Sequence, residues 1–263
     1  VAEPELQFLD VDGARGRRRI AFLKRAGARP AVLWFGGFRS DMTSTKAARI
    51  DAWCRERGCA MVRMDYAGHG KSDGRFRDFV FSDWIEDAEA VLDHLADGPA
   101  VVVGSSMGGW IATLIAKRRM AAGRAGTIAG LVLIAPACDF TEELMWPQFP
   151  ESVRAAIMER GVYDLPSAYS PEPTPITRAL IEDGRRNRVF GETFRVGCAV
   201  HILQGMKDPD VPWAHALRLI EHLPLDPVTA TFISDGDHRL SREEDIARLV
   251  AAVAGMASLQ SPP

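Results

Sequence analysis

One pattern recurs along most of the chain: a short apolar run rich in β-branched residues, a glycine-rich or polar break, then a longer amphipathic stretch. The runs are RRIAFLK (18–24), AVLWFG (31–36), AMVRMD (60–65), AVVVGS (100–105), GLVLIAPA (130–137), AVHILQG (199–205) and VTATFIS (228–234). Their length and composition predict strands. VVV and LVLI put apolar side chains on both alternating faces, which suits a parallel strand covered by helices on each side. Stretches 43–57, 83–96, 107–120, 213–223 and 242–257 read as helices, two of them opened by the capping-box pattern, Asp83 with Glu86 and Ser241 with Glu244. Such alternation predicts an α/β fold with right-handed crossovers and a mostly parallel central sheet, whose ligands sit beyond the carboxyl ends of the strands. Chemistry is therefore expected just after each strand.

The rhythm breaks between about 138 and 195, where no strand is evident and ESVRAAIMERG and ITRALIEDGRR read as helices separated by the proline-rich SPEPTP. The expected organisation is one α/β domain over 1–263 carrying a helical cap insertion at about 138–195. Within that insertion FTEELMWPQF gathers Leu144, Met145, Trp146 and Phe149 next to a strand end. These side chains either roof an apolar pocket or pack the insertion onto the main domain.

With 32 basic and 35 acidic residues and a formal net charge of -3, the chain presents no basic field for a nucleic-acid backbone and no reason to expect a membrane surface. Cys54, Cys59, Cys138 and Cys198 form no CxxC pair, so thiols in a reducing compartment are expected rather than disulfides or a metal site. The opening VAEPELQFLD lacks a secretory signal's basic start and long apolar stretch, and no run of about 18 apolar residues occurs. A soluble cytoplasmic protein is the expectation; oligomeric state leaves no mark in the sequence.

After AVVVGS comes Gly104-Ser105-Ser106-Met107-Gly108, a G-x-S-x-G sequence at a strand-to-helix junction. A sharp turn there projects Ser106 out of the sheet, while the glycines relieve steric clash. Met107 would offer its backbone N–H at the start of the following helix, where the dipole also favours negative charge. A phosphate-binding loop would need a lysine followed by serine or threonine at the helix start, and GxGxxG is missing too.

A serine hydroxyl needs a base, and histidine, with an unperturbed pKa of about 6.5, can both take and return a proton. Of the six histidines, His94, His215 and His222 fall in helical stretches and His201 inside a strand. His69 lies in DYAGHGKSDG, a glycine-rich loop that could approach the site but precedes the serine. His238, in SDGDHRLS directly after the last strand, remains. Its orienting carboxylate is expected after AVHILQG, where MKDPDVPW supplies Asp208 and Asp210; Asp208 lies nearer the strand end. The order Ser106, Asp208, His238 is that of an α/β-hydrolase triad. Gly36-Gly37-Phe38 follows an early strand, where the second oxyanion donor is expected, and the N–H of Phe38 is assigned to it.

These stretches resemble the α/β-hydrolase superfamily over nearly the whole chain. More narrowly, GGFRSDM with TKA, DYAGHGKSDG, GSSMGGW, QGMKDPDVPW, DHRLS and RGVYDLPSAYS resemble the family of mitochondrial palmitoyl-protein thioesterases that also cleave acyl glucuronides, with its bacterial relatives. The resemblance implies catalytic roles for Ser106, Asp208 and His238 and oxyanion amides at Phe38 and Met107. Two departures stand out: no transit peptide is visible, and Phe35-Gly36-Gly37 occurs where many α/β-hydrolases have a histidine before the glycine. The expected activity is hydrolysis of carboxylic esters or acyl thioesters through an acyl-enzyme, with no metal or organic cofactor. The expected partner is a small ester, an acylated thiol or an acylated protein, with Leu144, Trp146 and Phe149 as candidate substrate-binding residues. The alternatives are a peptidase or amidase on the same residues and a non-catalytic ligand-binding protein on a hydrolase scaffold.

Overall fold

The computed structural model describes residues 3–96, 98–166 and 172–258. An edge hairpin comes first, β1 (Leu6–Gly13) and β2 (Gly16–Arg25), followed by β3 (Ala28–Phe35), α1 (Thr45–Arg57), β4 (Cys59–Met64) and α2 (Phe81–Leu95). Then come β5 (Ala100–Ser105), α3 (Met107–Ala121), β6 (Ile128–Ile134) and the inserted segment, which holds α4 (Glu151–Arg160), β7 (Val162–Leu165), β8 (Thr174–Thr177) and α5 (Arg178–Arg186). The chain closes with β9 (Ala199–Gly205), α6 (Trp213–Glu221), β10 (Val228–Ile233) and α7 (Glu243–Ser258). The main sheet runs β1-β2-β4-β3-β5-β6-β9-β10. The pairs β1/β2 and β2/β4 are antiparallel, and every pairing from β4/β3 onward is parallel.

The double-faced apolar runs are explained by what covers them. Val102 of β5 and Leu131 and Leu133 of β6 pack into a core with Trp84, Val91, Trp110 and Leu219 from α2, α3 and α6. Val101, Val103, Val132 and Ile134 point the opposite way, against Ile50, Cys54, Leu249 and Val253 from α1 and α7. Each such fully buried side chain contributes roughly 1.5–3 kcal/mol, so slipping a central strand by one residue would exchange two packed faces at once. The cysteines are free thiols, Cys54 and Cys138 buried.

The sequence reading departs from this architecture in three places. Strand β1 is missing from it because only Val11 of that edge strand is buried, which leaves little alternation to read. The insertion is not wholly helical: β7 and β8 pair as an antiparallel ribbon, two strands of four residues each, too short to show a period. SPEPTP lies partly outside the described residues. Neither capping box forms as expected. Helix α2 starts earlier, and the Asp83 carboxylate accepts the Val80 N–H at 2.8 Å from the third helical position, while the Ser241 hydroxyl donates to the Arg239 carbonyl. Among the described residues, no helix is long and apolar enough to cross a membrane.

Candidate active site

The loops after β3, β5, β9 and β10 meet at the carboxyl end of the sheet. Ser106 occupies the tight turn between β5 and α3 at φ 53°, ψ -115°, a conformation that costs a non-glycine residue on the order of 1–3 kcal/mol. Its neighbours make the turn possible. A Cβ on Gly108 would stand 2.1 Å from the Phe35 carbonyl oxygen, and one on Gly104 would stand 2.4 Å from that of Gly108. The turn is pinned by the Ser106 N–H donating to Ile134 at 2.8 Å and by the Ser106 carbonyl accepting from Gly109 and Ala137. Ser105 is buried.

His238 faces both partners that the sequence assigned to it. Its Nδ1 lies 2.8 Å from Asp208 Oδ2 and its Nε2 3.1 Å from Ser106 Oγ. An ionised carboxylate only accepts, so Nδ1 carries the proton and Nε2 accepts the serine O–H. Asp208 is itself fixed: Oδ1 accepts the N–H groups of Asp210 and Val211 at 2.9 and 2.8 Å, and Oδ2 also accepts from Gln204 Nε2 at 3.3 Å. The two loops can approach because β9 ends in Gly205, where a Cβ would lie 2.4 Å from the Gly236 carbonyl oxygen. Asp208, Asp210 and His238 bring three possible metal-ligand atoms within 4.8 Å of one another. The hydrogen bonds already on both Asp208 oxygens and on His238 Nδ1 fit an oriented imidazole better than a metal ligand set.

Gly37 lies against the nucleophile, the position of its missing Cβ being 3.5 Å from Ser106 Cβ. Among the described residues, the amides of Phe38 and Met107 donate to no turn or loop carbonyl. The Phe38 ring is wedged edge-on among Phe76, Phe140 and Trp84, with centroid distances of 5.0, 5.3 and 6.0 Å.

A cavity of about 690 Å³ opens beside Ser106 and His238. Leu144 and Phe149 line it, with Phe140, Met145 and Ile176. Trp146 does not line it, which corrects the expectation for that residue: its ring lies under the guanidinium groups of Arg185 and Arg154, 4.9 and 5.8 Å away, with Phe149 at its edge. The turn through 141–148 changes from π to 3-10 geometry at Trp146, so helical spacing could not place the side chain.

The sequence reading missed Gln204 and Lys46. Gln204 is a fully buried amide near the end of β9, and its NH2 also donates to the carbonyls of Gly205 and Val211. Lys46 lines the cavity and donates to the Arg239 carbonyl next to His238. Burial pulls its pKa down to about 8 despite the nearby Asp237 and Asp208 carboxylates. A lysine in the first turn of a helix opposes the macrodipole, which was the available signal. The remaining histidines are tied elsewhere: His201 to Thr231, His215 to the Cys138 carbonyl, and His94 and His222 to carbonyls of their own helices.

A mostly parallel sheet with these four strand-end loops defines an α/β-hydrolase. The family described as serine aminopeptidase, S33, matches residues 27–208, and the chain belongs to that family. Human palmitoyl-protein thioesterase ABHD10, a mitochondrial protein, is 31% identical over 235 residues, covering 89% of this chain and 75% of the relative. Among solved structures, a protein of Agrobacterium vitis S4 assigned as a hydrolase is 49% identical with a TM-score of 0.91, covering 97% of this chain and 100% of its own. Mouse α/β-hydrolase domain-containing protein 10 is 28% identical with a TM-score of 0.86, covering 98% and 100%. The chain is a hydrolase of the α/β family with a thioesterase among its relatives.

Proposed function

We propose that this protein is a serine hydrolase that cleaves carboxylic esters or acyl thioesters through an acyl-enzyme on Ser106. The observation that carries the reading is the continuous hydrogen-bonded line from Asp208 through His238 to Ser106 Oγ. As Ser106 Oγ attacks the carbonyl carbon, its proton passes to His238 Nε2, and Asp208 stabilises the imidazolium. The carbonyl oxygen becomes an oxyanion held by the N–H groups of Phe38 and Met107. His238 returns the proton to the departing oxygen or sulfur, and water, deprotonated by the same imidazole, then hydrolyses the acyl-serine.

Leu144 and Phe149, with Phe140, Met145 and Ile176, form the apolar wall against which an acyl chain would lie, and the inserted segment acts as the cap. A cavity of about 690 Å³ falls within the range of small-molecule sites, roughly 300–1,000 Å³. A relative named as a palmitoyl-protein thioesterase supports an acyl thioester as substrate. The family's description as a serine aminopeptidase favours amide cleavage as the second reading. Matched acyl thioester, ester and amide substrates separate the two by their kcat/KM order. The founding test is Ser106→Ala, which should abolish turnover while circular dichroism and thermal melting stay unchanged. A folded Ser106→Ala protein with wild-type turnover would sink the proposal.

A further inference from the structure

His69, set aside as a possible base because it precedes the serine, has a different job. We propose that His69 is a positioning residue that locks the loop carrying the Phe38 oxyanion donor, an inference that rests on the acyl-transfer reading above. The Arg39 N–H, one residue beyond Phe38, donates to His69 Nε2 at 3.2 Å, while His69 Nδ1 lies 3.2 Å from the Ala67 carbonyl. A carbonyl only accepts, so Nδ1 carries the ring's proton and Nε2 is a lone-pair acceptor. The imidazole is buried, and burial pulls its pKa down to about 4, so the acceptor persists across the neutral range.

The loop needs such a tether because Arg39 is held at φ 59°, in the left-handed region that a side chain disfavours. The histidine is fixed in turn. Gly68 and Gly70 flank it at φ 72° and 46°, and a Cβ at either would collide, 2.7 Å from Phe76 Cα or 2.0 Å from Asp65 Oδ2. Its ring packs edge-on against Phe76 and Trp84 at 5.1 and 5.2 Å, two of the three rings around Phe38. Other residues of DYAGHG grip the same loop on either side: the Tyr66 hydroxyl donates to the Gly36 carbonyl at 3.4 Å, and Asp65 Oδ1 accepts the Met42 N–H at 2.6 Å. The motif thus acts as a clamp spanning residues 36 to 42, with His69 at the bond nearest the donor.

The test compares His69→Phe, which keeps the ring but loses the acceptor, with His69→Gln, whose Oε1 can restore it. Outright removal of an oxyanion donor costs roughly 10²–10³-fold in kcat. Loosening one should lower kcat of His69→Phe by about 10- to 100-fold, with KM within about twofold. Phenylboronic acid, whose tetrahedral adduct with Ser106 places an oxygen in the hole, should weaken by the same factor, and His69→Gln should recover most of both losses. A His69→Phe protein that melts lower yet keeps wild-type kcat and boronate affinity would overturn the proposal and leave the acyl-transfer reading standing. Wild-type turnover by Ser106→Ala, measured alongside, would instead remove that reading and the proposal with it.

Discussion

Replacing Asp208 by asparagine keeps the side-chain shape and removes its charge, and the surrounding hydrogen bonds dictate how the amide must sit. Oδ1 accepts two backbone N–H groups, from Asp210 and Val211. Turning the NH2 toward them would orphan both, at about 1–3 kcal/mol each. The NH2 therefore occupies the Oδ2 position, facing His238 Nδ1 and the Gln204 NH2. His238 must then accept at Nδ1 and carry its proton on Nε2, the nitrogen that should take the proton of Ser106. A wrong tautomer of this kind costs about 10⁴ in kcat, or about 5.5 kcal/mol at 1.36 kcal/mol per decade. The assay is steady-state hydrolysis of a p-nitrophenyl ester and an acyl thioester by protein whose melting matches wild type. Asp208→Asn should lose about 10⁴-fold in kcat with little change in KM, and Asp210→Asn should stay within about threefold. A loss below tenfold for Asp208→Asn, or a larger one for Asp210→Asn, would refute the assignment of the orienting carboxylate.

The acyl wall predicts a chain-length effect. Leu144→Ala and Phe149→Ala should each lower kcat/KM for an octanoyl ester by roughly tenfold, from lost apolar contact, while acetyl ester turnover changes less than twofold; equal losses on both esters would show that the wall does not hold the acyl chain. His69 predicts a pH effect on stability. Its folded pKa of about 4 lies below the unfolded value of about 6.5, so the unfolded chain binds more protons between those values and stability falls as pH drops from 6.5 to 4. The full effect approaches about 3 kcal/mol. Urea melts at pH 7 and 4.5 should show a steeper acid loss for wild type than for His69→Phe, and parallel losses would contradict a buried neutral imidazole.

The central sheet was legible because VVV and LVLI are short runs rich in β-branched residues, apolar on both faces and bounded by glycine and polar breaks, which distinguishes them from a buried helix. Ser106, Asp208 and His238 were legible because each lies in the loop that follows a strand, so locating the strand narrowed the search to a few residues; the structure brings them into one hydrogen-bonded line. What escaped has physical causes. Strand β1 buries one side chain, and β7 and β8 form a two-stranded ribbon of four residues each, so neither carries a period. Trp146 packs on the insertion's own apolar cluster with Phe149 rather than lining the cavity, because the turn beneath it departs from α-helical spacing. The roles of Lys46 and His69 depend on contacts with Arg239 and Arg39, 193 and 30 residues away in sequence, and no local pattern encodes such a pairing.

The central claim is that Ser106 carries the acyl group during turnover. Rapid acid quenching of the protein with a p-nitrophenyl acyl ester, followed by intact and peptide mass spectrometry, reads this directly. The account predicts a p-nitrophenol burst and one acyl adduct, mapped to the peptide containing Ser106 and missing from Ser106→Ala. Sustained hydrolysis with no adduct at any quench time and no burst, or an adduct on another residue, would contradict it.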